Sequence, residues 1–289
     1  VLDYQPNEQF TRYDLTGKVD ARLSDAIDIT ITGAYSDAAD RFTPGESSAT
    51  AANWRLLNTQ NNPTEYDKTF RGNFRFRHNL GRGSSSSDQA EKAALIQNAS
   101  YTLQFGYEKQ LNDLYDPRHE DNFFNYGYIG RFEQEWRPSW QIETIVVDSM
   151  LTQIAIHEDY SQILTDYTAD ENINPVLANY NNIFLDPDGE DDLPPQVSSF
   201  SAFNGDVLNI YEDSGGFHNN VGTVYNLFRK RDQDTYTLQA RTSFELVPGG
   251  DRGRHNIELG VWYEQRTDRE WSLNPRALWV LARQLANNH

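Results

Sequence analysis

Six or seven stretches of this chain alternate apolar and polar residues with a period of two. In residues 69–80, Phe70, Gly72, Phe74, Phe76, His78 and Leu80 fall on one face, and Arg71, Asn73, Arg75 and Arg77 on the other. A strand sends successive side chains to opposite sides of its sheet, so this segment has one apolar wall and one charged wall. Two architectures accommodate such a wall. A soluble sandwich hides it against a second sheet, whereas a transmembrane barrel turns it to lipid and keeps the polar wall inside.

The period predicts an all-β chain with antiparallel strands at about residues 10–23, 27–35, 69–80, 100–111, 123–137, 140–156, 234–247 and 255–270. Ser24-Asp25-Ala26, Arg137-Pro138-Ser139 and the glycine-rich run 248–253 read as turns. Residues 36–68 and 158–233 lose the period and read as long loops, and residues 89–96 could form two helical turns. Asn274-Pro275 is a helix start, because Asn caps and Pro suits the first turn, and Leu278, Leu281, Ala282 and Leu285 then share a face.

Strand length favours the barrel. The segments exceed the ~5–6 residues usual in soluble sheets and suit tilted crossings with ~9–11 residues in hydrocarbon. Connections tend to alternate short and long, as periplasmic turns and extracellular loops do. In seven of the strands the apolar faces, as read, carry no charge. The aromatics Tyr13, Tyr35, Tyr101, Tyr107, Tyr126, Trp136, Phe244 and Tyr263 sit on those faces, mostly near strand ends, as interfacial girdles would, with Phe74 between them. Arg71, Arg75, Arg131, Glu133, Arg241, Glu245, Glu258 and Glu264 are expected on the inner wall. The expectation is a sector of about eight strands from a larger transmembrane barrel. A soluble carbohydrate-binding module and a small stand-alone barrel are the alternatives.

Composition removes other classes. The chain has 289 residues, no Cys and one Met, so disulfides, thiol nucleophiles and Cys-ligated metals are excluded. Its net charge of −18 disfavours nucleic acid, which needs a basic stripe. Residues 158–232 hold 14 Asp and Glu against 3 Lys and Arg, which reads as a solvated acidic loop. Within it Asp186, Asp188 and Asp191 are a weak candidate for a cation, without EF-hand spacing. No His pair has zinc-ligand spacing, and no catalytic constellation or cofactor motif is found, so no enzyme is expected. The long loops should capture substrate, with Tyr160, Tyr167, Tyr180, Phe184, Tyr211 and Phe217 as stacking surfaces.

Several patches carry a resemblance. They are Gly106-Tyr107-Glu108-Lys109, residues 115–119 (Tyr-Asp-Pro-Arg-His) and 122–130, and Ile173-Asn174-Pro175-Val176-Leu177-Ala178-Asn179-Tyr180. The most specific are residues 263–269, 274–279 and 283–287. Together they resemble the barrel of TonB-dependent outer-membrane receptors of the Bacteroidetes type. The resemblance implies a ~22-stranded barrel with a plugged lumen in a Gram-negative outer membrane. It also implies outer-membrane lipid, the TonB energy-coupling complex and a surface lipoprotein as partners. This chain would be about a third of the transporter. The plug, the coupling segment and the other strands are expected in further sequence.

Overall fold

The computed structural model describes residues 6–44, 56–80, 96–147, 150–185, 221–246, 248 and 253–287. Its strands are β1 (Gln9–Ser24), β2 (Ile27–Arg41), β3 (Thr64–Asn79), β4 (Ile96–Tyr115), β5 (Gly130–Val147), β6 (Met150–Ala169), β7 (Phe228–Leu246) and β8 (His255–Leu273). Two helices, α1 (Pro175–Leu185) and α2 (Ala277–Asn287), follow β6 and β8. The fold is predominantly antiparallel β, as the alternation requires.

Six strands form one sheet in the order β1-β2-β3-β4-β7-β8, and β5 and β6 form a separate two-stranded ribbon. The strands do not pair in simple chain order. Instead β4 pairs with β7 directly, from Ile96↔Leu246 to Leu114↔Arg229. Residues 116–227 therefore leave and re-enter at one end of the sheet, the loop end, which also carries 42–63. The opposite turn end carries Asp25-Ala26 and the connections 80–95 and 247–254. The direct β4–β7 seam makes the short-and-long asymmetry more regular than the sequence reading suggested.

The hairpin boundary also moves. Arg137-Pro138-Ser139 is not a turn: β5 runs through it, Pro138 opposite Tyr160, and the reversal lies between Val147 and Met150. Proline lacks only a donor, and a ribbon with two open edges has strand positions where none is needed. Because Val147 opposes Met150, Met150, Ile154 and Ile156 fall on the ribbon face opposite Trp140 and Ile142 rather than with them. The long loops shrink, since β2 reaches Arg41, β3 starts at Thr64, β6 reaches Ala169 and β7 starts at Phe228. Residues 123–125 form a 3-10 turn rather than the start of β5. The segment 81–95 lies outside the described residues.

The core sits at the loop end, away from the sheet's faces. Tyr126, Ile129, Leu177, Ala178, Val224 and Phe228 are all but fully buried, together with Asn58, Asn61, Asn62, Asp116 and Asn181. We call this packed assembly of residues 56–63, 116–129, 170–181 and 221–228 the cap. Gly130 marks where β5 leaves it. Its φ of 149° and the close approach of the Thr168 carbonyl leave no room for a Cβ.

Candidate functional site

Directly opposed residues of an antiparallel ladder share a face, so the register fixes the two walls of the six-stranded sheet. One wall joins Val19, Ile31, Phe74, Phe105, Leu238 and Tyr263 across all six strands. The next row joins Ala21, Ile29, Phe76, Leu103, Ala240 and Val261. This wall is bare: Val19 is 63 % exposed, Phe74 41 % and Val261 70 %. It carries charge only toward the loop end, where Lys109 meets Asp232 at 3.2 Å and Asp234 at 3.6 Å, and Arg269 reaches the same pair.

The aromatics where the uncharged band of this wall ends do not follow one register row, and Tyr66, Tyr115, Phe228 and Trp271 lie beyond them toward the loop end on the same wall. Tyr13 lies opposite Asp37, one row beyond Tyr35 and Phe70, which oppose each other. Tyr107 opposes Tyr236 a row further toward the turn end, and Tyr263 opposes Leu238 a row beyond that. Three steps of two residues amount to about 20 Å of strand across about 24 Å of sheet, a slope of about 40°.

The other wall is polar. Arg71, Arg75 and Arg241 lie on it, with Glu245, Glu258 and Glu264. Arg71 pairs with Glu108 at 2.7 Å, and Glu245 accepts from Asn98 at 2.9 Å. Arg75 donates to the Thr30 hydroxyl at 3.1 Å, which donates in turn to Asp20 at 2.7 Å. Three hollows follow one another along this wall. The first, about 800 Å³, lies near the turn end among Arg22, Arg75, Arg77 and Arg241. A second of about 800 Å³ lies at mid-height between Lys18, Arg71, Glu108 and Glu264. The third, about 240 Å³, lies at the loop end between β3, β4, β7 and β8.

Some expected residues lie elsewhere. Arg131 and Glu133 pair with each other at 2.8 Å on β5, off the polar wall of the sheet. Trp136 is on the same ribbon, half exposed. Tyr126 is a correction. It was expected on the exposed apolar face, but it is fully buried in the cap, where its hydroxyl donates to the Glu120 carbonyl at 2.7 Å. The period through Phe124, Tyr126 and Tyr128 comes from a 3-10 turn and the chain beyond it, not from a strand. Tyr13, Tyr35, Phe74, Tyr101, Tyr107, Phe244 and Tyr263 share the apolar wall as expected from their parity. Of the stacking residues, Tyr160 is exposed on β6 and Tyr167 is buried. Asp186, Asp188, Asp191, Tyr211 and Phe217 lie outside the described residues, and the Phe184 side chain does too. Among the described residues no group of three His, Asp or Glu is placed to hold a metal.

The cap closes the base of the ribbon through one asparagine. Asn174 Nδ2 donates to the Asn125 carbonyl at 2.6 Å and the Tyr128 carbonyl at 2.9 Å. Its Oδ1 is left to accept, so His119 Nε2 donates to it at 2.9 Å. Burial holds the His119 pKa below its ordinary value, against the opposing pull of Asp116. Burial likewise raises the Tyr126 phenol.

The reading by period missed Glu65, Asp67, Arg229, Arg231 and Gln233, which line the third hollow. The signal was there: Glu65 and Asp67 alternate with Tyr66 and Lys68, continuing β3 without a break. No protein-family model and no curated protein matches this chain.

Proposed function

We propose that this chain is a sector of the β-barrel of a TonB-dependent outer-membrane transporter for active nutrient uptake. The observation that carries the reading is the bare apolar wall, unbroken over six strands, with an aromatic border inclined at about 40° to the register. Strands of transmembrane barrels tilt by about 35–45°, so a membrane plane crosses their register at this slope. Tyr35 and Ile27 bound nine residues of β2, about 27 Å of strand, which at that tilt rises about 21 Å, a little short of an apolar band of about 25 Å. A soluble sheet would instead cover such side chains, each worth about 1.5–3 kcal/mol when buried.

In this reading the polar wall faces a lumen filled by a plug from other sequence, and the loop end faces the exterior. Outer-membrane lipid, the TonB energy-coupling complex and a surface lipoprotein are the partners. The sheet's outer edges, on β1 and β8, would pair with further strands of the barrel, since long open edges invite pairing.

The test uses the absence of native cysteine. Single Cys residues replace Phe74 and Arg75 in the full-length protein, carry a fluorophore, and meet brominated lipid in reconstituted vesicles. Quenching at position 74 and not at 75 supports the reading. Equal quenching at both overturns the face assignment. A water-soluble protein quenched at neither is a β-rich binding module instead.

A further inference from the structure

We infer that the uncharged face of the β5–β6 ribbon is an interface on which a second copy of this chain docks, ribbon against ribbon. The inference does not depend on the transporter reading. β5 has 18 residues and β6 has 20, so the ribbon is an arm about 60 Å long. It is rooted at one end. Among the described residues α1 is the element packed against it, on β6, and there the Tyr167 hydroxyl donates to the Ile129 carbonyl at 2.9 Å. A two-stranded hairpin with nothing on its faces is marginal in water.

The register sorts the arm into two unlike faces. One carries Arg131 with Glu133, Arg137 with Glu135, and also Glu143, Asp159 and Asp166. The other has no Asp, Glu, Lys or Arg among its paired residues, and the bulge beside Trp140 leaves Glu158 unpaired. On this uncharged face Trp136, Trp140, Ile142, Val146, Leu151 and Tyr160 are 50–78 % exposed. Three rings and three aliphatic side chains bared to that degree amount to roughly 700 Å². Monomeric proteins seldom leave an apolar patch above about 300–600 Å² uncovered. A standard interface buries about 800 Å² per partner, so two such faces come close to a complete dimer interface.

The aromatics also sit where a two-fold contact needs them. Trp140 and His157 oppose each other near mid-length, with ring centroids 5.3 Å apart, and Tyr160 meets His157 at 4.7 Å. In a two-fold contact the middle of a face meets its own copy, and binding energy concentrates in such central aromatic clusters.

Charge selects the occupant. At a net charge of −18, a second copy is repelled by most of this surface. Uncharged face against uncharged face sets the two charged faces outward about 20 Å apart, more than twice the Debye length of about 8 Å. Lipid does not fit, because the outer edges of a two-stranded ribbon carry N–H and C=O groups that hydrocarbon cannot satisfy. A charged partner finds no charge to pair with. In the transporter reading a two-fold axis along the membrane normal brings both arms out at the loop end.

The experiment is sedimentation equilibrium of the full-length protein, in detergent or, where it is water-soluble, in buffer. A dimer that dissociates in the micromolar range or below is expected. Trp140→Glu and Leu151→Glu should each weaken it at least about thirtyfold, since both copies carry the change. Gln141→Glu adds the same charge one residue along, on the other face, and should dimerise as the parent does. All three side chains are exposed, so none is needed for the fold. A monomer at every concentration, a dimer unmoved by both variants of the uncharged face, or equal weakening by Gln141→Glu overturns the interface. Lipid quenching at position 74 from a monomeric protein rejects the interface and leaves the transporter. A dimer that Trp140→Glu dissociates, without quenching, keeps the interface on a soluble protein.

Discussion

The six-stranded sheet and the cap solve opposite problems. The sheet leaves Val19, Ile31, Phe105 and Val261 more than two-fifths exposed, yet its four inner strands are laddered on both sides. The cap buries its apolar side chains with Asn58, Asn61, Asn62, Asn174 and Asn181, and gives each amide nitrogen an oxygen to donate to. One region is held by regular pairing and depends on its surroundings to cover its apolar wall. The other is held by individual side-chain bonds and depends on having every partner present. A change in the solvent against the wall should act on the sheet, and a change in protonation or a lost amide should act on the cap.

The sharpest way to break the contrast is to put charge on the bare wall. Phe74→Arg should block membrane assembly, because an Arg at mid-bilayer depth costs about 2–4 kcal/mol. Arg75→Phe, on the polar wall, should assemble better. The reverse order in an assembly assay would mean the walls have been assigned the wrong way round. Asn174→Ala should leave assembly intact but loosen the cap by about 1–3 kcal/mol, since it strands two carbonyls and the His119 N–H. Hydrogen exchange at the base of β5 and β6 would detect this, and unchanged protection would show that other contacts hold the ribbon.

A smaller effect is expected from acid. The His119 pKa is held below 6.5, so the unfolded chain takes up its proton first as pH falls. The cap's stability from this group is complete above about 6.5 and is lost as pH drops below it. Protease sensitivity near residues 116–129 should therefore rise on acidification, and His119→Gln should flatten the dependence. The smallest effect is at the surface. Arg71→Gln breaks a pair whose arginine side chain is 60 % exposed, and should cost under about 1 kcal/mol in thermal melts. A larger loss would show that the polar wall is screened from water by something packed upon it.

What could be read in advance follows the same divide. The alternation of Phe70 through Leu80 gives β3 its faces because a half-covered strand must alternate. The same logic placed Tyr13, Tyr35, Tyr107 and Tyr263 on one wall. Sheet order is a different matter. Nothing in the periods of β4 and β7 says that they are neighbours, because pairing at a separation of more than a hundred residues depends on the register of both. Pro138 misled for a local reason, since proline marks turns far more often than it sits in a ribbon. The cap was hardest to read. Buried asparagines look like solvated loop until their partners are known, and His119 meets Asn174 only in three dimensions. The polar-wall arginines of β3 and β7 were legible from parity alone, whereas the third hollow lay where strands were expected to have ended.

The seam between β4 and β7 has an evolutionary consequence. Leu114 and Arg229 stand side by side, so everything from 116 to 227 departs and returns through one narrow gate. Its length can grow, shrink or be exchanged between relatives without shifting a single rung of the β4–β7 ladder. A lineage built on this plan can change what its loop end meets while inheriting its wall unaltered.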